Sequence, residues 1–183
     1  MGDTQSDLLF VMAGYARPVT AIPSTRRPFR RLATEALAFA APLAVATIGG
    51  AVTAREIPNW YRSLDKPPWN PPDAVFAPVW TTLYLLMGLA LVLARRADPG
   101  RSPRTEVVFS LQLALNLAWT LVFFGRRDPG AGLVVIVLLW AAIVATIVEF
   151  WGTRRLAGVL LLPYLAWVTF ATILNAEIWR LND

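Results

Sequence analysis

The chain has 183 residues, 56% of them hydrophobic, and a formal charge of +5 with no cysteine and no histidine. That composition is too apolar for an ordinary soluble domain. The missing residue types exclude disulfides, thiolate nucleophiles, Cys–His or Ser–His arrangements, imidazole general bases and nearly all zinc chemistry.

Residues 1–33 read as a basic, mobile arm ahead of a membrane domain that occupies 34–183. The arm carries Arg17, Arg26, Arg27, Arg30 and Arg31. Met1–Ser6 fits a loose myristoylation pattern, and Val11–Tyr15–Arg17 fits a loose sterol-contact pattern. Both fall in the arm.

Five runs without Asp, Glu, Lys or Arg follow: Ala36–Ala54, Ala74–Ala94, Val107–Gly125, Pro129–Val148 and Leu156–Ala176, each of 19 to 21 residues. A helix needs about 20 residues to cross the hydrocarbon core. A charge at a helix centre costs about 2.5–3.5 kcal/mol on insertion scales, whereas each Leu or Val returns only about 0.3–0.6 kcal/mol. The expected fold is an all-α membrane protein, a bundle of five transmembrane helices. The turns Asp98–Gly100, Arg126–Gly130 and Gly152–Arg155 are short, so sequential helices pack antiparallel. Alternate connections place eleven basic residues on the N-terminal side and six on the other, which puts the N-terminus in the cytoplasm under the positive-inside rule. The same scatter of charge forms no continuous basic face, so no nucleic-acid partner is expected.

The connector between the first two spans is Trp60-Tyr61-Arg62-Ser63-Leu64-Asp65-Lys66-Pro67-Pro68-Trp69-Asn70-Pro71-Pro72. Four prolines in its last six residues fix φ and remove N–H donors. It reads as a stiff, non-helical lid over Pro58–Pro72. Asp73 follows that lid and caps the second span.

Helical spacing gathers candidate lining residues on one face of each span. The third presents Gln112, Asn116, Trp119 and Phe123, and amides in hydrocarbon must turn inward to find partners. The second presents Trp80 and Tyr84, the fourth Trp140, Val144, Ile147 and Trp151, and the fifth Tyr164, Trp167, Ala171 and Leu174 with Asn175 beside them. Eight tryptophans, several at mid-span, suit a large flat apolar ligand. No paired carboxylates sit inside a span, and the glycine-rich stretches match neither a phosphate loop nor a dinucleotide fingerprint. Glu177 pairs locally with Arg180 at i+3. Ala114 and Ala118 on the third span, and Ala90 and Ala94 on the second, are small residues at i, i+4 spacing that permit close helix approach.

These residues resemble a known family. The connector with Pro78-Val79-Trp80-Thr81 and Leu83-Tyr84, Asn116-Leu117-Ala118-Trp119 with Phe123-Phe124-Gly125, and Pro163-Tyr164-Leu165-Ala166-Trp167 through Ala171–Asn175 are similar to the motifs of the TspO/MBR family. These are the tryptophan-rich sensory proteins, related to the mitochondrial translocator protein, or peripheral benzodiazepine receptor. The resemblance covers roughly residues 35–182. It implies a membrane-bound regulator or sensor that binds a tetrapyrrole such as protoporphyrin IX in a pocket under the first loop, with no cofactor required. The alternatives it implies are a light- and oxygen-dependent porphyrin-degrading enzyme, with Trp80 and Trp167 as the reactive side chains, and a carrier of tetrapyrroles, lipids or sterols. Ligand-binding positions carried over by resemblance are Trp60, Pro67, Trp69, Trp80, Tyr84, Asn116, Trp119, Trp140, Trp167, Ala171 and Leu174. The partners implied are the porphyrin ligand, the bilayer and a second copy of the chain, with the homodimer seam on the third span at Ala114 and Ala118. Ala176 stands where the sterol motif of animal members needs an aromatic residue, which removes that motif here.

Overall fold

A computed structural model describes the backbone of residues 26–97 and 103–183, and the side chains of the same segments from Glu35 onward. The two patterns in Met1–Arg17 and the Asp98–Gly100 turn lie outside the described residues. Among the described residues six α-helices follow in chain order: α1 Arg26–Glu56, α2 Asp73–Ala97, α3 Pro103–Thr120, α4 Pro129–Thr153, α5 Arg155–Val159 and α6 Leu162–Asn182. Among the described residues there is no strand. Five helical segments among the described residues are long and apolar enough to cross a membrane: Glu35–Tyr61, Asp73–Ala97, Pro103–Gly125, Pro129–Thr153 and Arg155–Asn182. The all-α, five-span architecture is therefore as expected from the charge-free runs. The helix that carries the first span begins at Arg26.

Local chemistry explains where the helices stop. Asp128 is the N-cap of α4, its Oδ1 accepting from the Ala131 N–H at 2.8 Å, and Pro129 occupies the first helical position, where no N–H is needed. Arg127, just before it, adopts φ 58°, the left-handed conformation that reverses the chain. The fifth span is broken at Leu160–Leu161. Pro163 cannot donate to the carbonyl four residues back, so α5 ends and α6 restarts with that proline in its first turn.

Two segments are wider than α-helix. Ile57–Tyr61 continues α1, and Leu121–Gly125 continues α3, both as π-helical turns. The first corrects the sequence expectation for the lid. Helix runs on through Pro58 to Ser63, and the non-helical loop is only 64–72. The π turn accommodates the proline ring, and the Asn59 amide donates to the Arg55 carbonyl at 2.7 Å, supplying a donor where the ladder is disturbed.

The core lies among α2, α3, α4 and α6. Met87, Ala90, Phe109, Ile136, Leu139, Phe150, Tyr164 and Val168 are all buried there. Ala90 and Ala94 belong to this core, so that pair of small residues serves packing within the subunit. Ion pairs tie the helix ends together. Arg95 grips both oxygens of Glu106, Arg96 grips both oxygens of Glu35, and Arg104 reaches Glu149 at 3.2 Å. At the opposite end Arg127 meets Glu56 at 3.0 Å and Arg62 meets Asp73 at 3.5 Å. The local pair Glu177–Arg180 forms as its spacing implied, at 2.6 Å.

Candidate functional site

The site is built around two inward-turned amides. Asn116 on α3 is fully buried; its Oδ1 accepts from the Tyr84 hydroxyl at 2.6 Å and its Nδ2 donates to the Tyr164 hydroxyl at 3.0 Å. One side chain thus ties α2, α3 and α6 together in a medium where no water competes. Asn175 does the same higher up: its Oδ1 accepts from the Trp119 indole at 3.1 Å and its Nδ2 donates to the Pro129 carbonyl at 2.7 Å. Gln112 is buried one turn before Asn116, and neither of its amide atoms has a hydrogen-bond partner.

Above these amides aromatic rings close on one another. Trp80 stacks on Trp119 with centroids 6.3 Å apart and lies 5.7 Å from Tyr84. Trp119 stacks on Phe123 at 5.5 Å, Phe123 meets Phe124 at 4.8 Å, and Tyr61 lies 6.3 and 5.7 Å from that pair. Phe76 joins Tyr61 to Trp167 through contacts of 6.3 and 6.0 Å. Ala171, Leu174 and Asn175 complete the wall. The void these rings enclose is only about 20 Å³. A second cavity of about 240 Å³ adjoins it on the α1 side and shares Phe76, Trp80, Trp119 and Phe124 with it.

The loop 64–72 is cross-braced. The Tyr61 hydroxyl donates to Asn70 Oδ1 at 2.7 Å, and Lys66 Nζ donates to the Tyr61 and Leu64 carbonyls, each at 2.7 Å. The same ammonium lies 5.1 Å from the Tyr61 ring centroid. Asn182, at the end of α6, exchanges two bonds of 2.9 Å with the backbone of Asp65.

Of the residues singled out from the sequence, Trp80, Trp119, Trp167, Ala171 and Leu174 meet at the inner void. Tyr84 lines the α1-side cavity, and Asn116 holds Tyr84 from behind. Trp60 packs edge-on against Phe123 and Phe124. Pro67 is buried in the loop, and Trp69 stands half in solvent against Phe170. Trp140 is not in this cluster. The inward row of α4 is Ile136, Leu139, Ile143 and Ile147, and Trp140 sits one step around the helix, 39% exposed, its indole donating to Thr169 Oγ1 at 2.8 Å.

Three cage residues were not singled out from the sequence: Tyr61, Phe76 and Phe124. Phe76 precedes Trp80 by one helical turn on the same face, so spacing alone could have found it. Phe124 follows Phe123 directly and would point about 100° away in an α-helix. The π turn at Leu121–Gly125 lets both rings reach the cage, and such turns leave no mark that periodicity can read.

Comparison with known proteins agrees with this architecture. The model of the TspO/MBR family matches residues 38–180. The tryptophan-rich protein TspO of Chlorobaculum tepidum is 44% identical over 155 residues, covering 84% of this chain and 98% of that protein. The tryptophan-rich sensory protein of Cereibacter sphaeroides is 44% identical, over 68% of this chain and 77% of its own. The human translocator protein is 44% identical, over 68% of this chain and 75% of its own. With the family matched over most of its length and five spans on the page, the chain is a multi-pass integral membrane protein belonging to the TspO/MBR family.

Proposed function

We propose that this protein is a membrane sensor that binds a tetrapyrrole of the protoporphyrin IX type in the aromatic cage beneath the loop 64–72. The observation that carries the reading is the cage itself. Seven rings, from Tyr61, Phe76, Trp80, Trp119, Phe123, Phe124 and Trp167, converge on one void in which the only amide, Asn175, already has both ends bonded. Such a site offers flat π-faces and almost no unsatisfied polarity, which fits a large planar apolar ring system. The names of the relatives, sensory protein and translocator protein, fit a role in sensing or handling a membrane-soluble compound.

The cage is closed. Ligand sites generally measure about 300–1,000 Å³, whereas the void inside the cage and the cavity on its α1 side are about 20 and 240 Å³. A macrocycle must therefore displace rings or move α1 as it binds. Burial of its faces contributes about 25 cal/mol per Å² before the costs of association and rearrangement are deducted. Titration of the purified full chain with protoporphyrin IX, followed by quenching of indole fluorescence, tests the reading. Saturable quenching that weakens tenfold or more in the Trp80→Ala/Trp167→Ala variant is expected. Equal affinity in that variant would place the site elsewhere.

The same reading includes a homodimer through α3 and a cytoplasmic N-terminus. The outward row of α3 is Val107, Leu111, Ala114, Ala118 and Leu121; the two small residues sit at its centre, and Val107 and Leu111 are more than half exposed. The cage lies on the other side of that helix, so a seam here leaves one site per subunit. Mass in detergent checks it: Ala114→Leu/Ala118→Leu should shift the protein to monomer while porphyrin still binds.

A further inference from the structure

We propose that the cage is loaded sideways, from the hydrocarbon of the bilayer through a slot between α1 and α2, by a ligand whose planar apolar ring system is already dissolved in the membrane. This deepens the tetrapyrrole reading and rests on it.

The slot is the mouth of the 240 Å³ cavity. On α1 it is walled by small residues, Ala46, Gly49, Gly50, Thr53 and Ala54. Gly50 and Ala54 face Ala77 and Thr81 of α2 across its rim, and all four are exposed within membrane-spanning segments. A Cβ placed on Gly50 would meet nothing within 4 Å. Nearer the other end the same two helices are pressed together: a Cβ on Gly88 of α2 would come within 2.4 Å of the Phe39 ring of α1. The two helices thus touch at Phe39–Gly88 and part toward Gly50.

The chemistry of the slot suits lipid and not water. Thr53, Thr81 and Thr120 all turn their hydroxyls onto the carbonyl one turn back on their own helices, at 2.8, 2.8 and 3.3 Å. The Tyr84 hydroxyl is held by Asn116, and Asp73 faces Arg62. Most of what remains for an incoming molecule is methyl, methylene and aromatic surface, with the Asp73 carboxylate at the loop end as the main polar exception. The inner end of the slot is the ring set Phe76, Trp80, Trp119 and Phe124, which is also the wall of the cage.

The wall that must give is the least packed in the bundle. Only 17% of the apolar window of the first span is buried, against 33–44% for the other four. Its ends are held by Glu35–Arg96 and Glu56–Arg127, and Phe39 locks onto Gly88, so between these clamps, at Ala46–Ala54, only apolar contacts hold it, among them Gly49 against Thr120. Two other approaches compete with the slot, the loop and a groove of about 650 Å³ between α2 and α6, and each meets an obstacle. The loop is braced by Tyr61–Asn70, Lys66 and Asn182, and the groove between α2 and α6, lined by Pro78, Leu86, Pro163 and Phe170, ends on Trp167, wedged between Phe76 and Phe170.

The test uses the full chain in lipid vesicles with protoporphyrin IX supplied in the bilayer, and reads the rate of indole quenching after mixing. Gly50→Phe, which fills open space at the rim, should slow association and dissociation together, each by tenfold or more. Asn182→Ala, which unlatches the loop, should leave the association rate within twofold of wild type, as should Ala166→Trp, which fills the α2–α6 groove. Faster loading on unlatching would show that the loop is the way in, and slower loading in Ala166→Trp would move the route to that groove; either overturns the proposal. Equilibrium binding by the wild type with rates indifferent to Gly50→Phe removes the slot and leaves the cage. A wild type that never quenches removes the tetrapyrrole reading and the slot with it.

Discussion

The first and third spans are almost equally apolar, yet only 17% of the apolar stretch of one is buried and 44% of that of the other. Both cross the membrane for the same reason, a charge-free run of sufficient length. What separates them is polar side chains. α3 carries Gln112, Asn116 and Trp119, and two of these bind three partners on two other helices, α2 and α6. α1 carries Thr47 and Thr53, which bond only to their own helix, so between its terminal ion pairs it is held by shape alone. Apolar length places a helix in the bilayer, where lipid is as good a neighbour as leucine; polar and close-packed contacts decide which helix touches which.

The largest expected effect comes from removing the centre of α3. Asn116→Leu orphans the Tyr84 and Tyr164 hydroxyls together. Interhelical bonds in membranes reach about 1.7 kcal/mol each, so a loss of up to about 3 kcal/mol in unfolding from mixed micelles is expected, whereas Val45→Ala on α1 should cost under about 1 kcal/mol. Equal losses at the two positions would erase the distinction between the helices. Gly88→Ala comes next. It forces the Phe39 ring aside at the tightest point of α1 on α2, and overpacking of this kind costs about 1–3 kcal/mol. Proteolysis of α1 should also quicken, and an unchanged cleavage rate would mean that Phe39 does not hold it.

Trp119→Phe keeps a ring in the stack but removes the donor to Asn175 Oδ1, a change of about 1 kcal/mol. The smallest effect sharpens the comparison by its sign. Gln112 is buried without partners, so Gln112→Leu should be neutral or raise stability by about 1 kcal/mol, one turn from the most damaging substitution in the same helix. A loss at Gln112 comparable to that at Asn116 would show that its amide is bonded in the membrane.

How much of this was legible beforehand follows from the same physics. Span positions could be read from charge alone, and the inward turn of Gln112 and Asn116 from the cost of a polar group in lipid. Trp80, Trp119, Trp167, Ala171 and Leu174 could be placed on faces because their helices are regular where they sit. The rest depended on irregular backbone or on rotation that apolarity does not encode. Helix persisted through Pro58 because a π turn absorbed the ring, which shortened the loop and carried Tyr61 into the cage. Spacing and resemblance place Trp140 inward, yet a helix that is apolar all round has no hydropathy signal for its rotation, and α4 turned its isoleucines to the core. Ala90 and Ala94 could have made a seam between copies by spacing, and the fold used them inside.

The central claim is that Trp80, Trp119 and Trp167 contact one planar ligand and that Trp140 does not. The most direct test is the set of eight indole N–H resonances, assigned one by one in the full chain in micelles and followed as protoporphyrin IX is added. The ring current of a bound macrocycle should move the signals of Trp80, Trp119 and Trp167 strongly and together, while those of Trp140, Trp151 and Trp179 stay in place. Saturable binding that moves Trp140 and leaves Trp80 and Trp167 untouched would contradict the account.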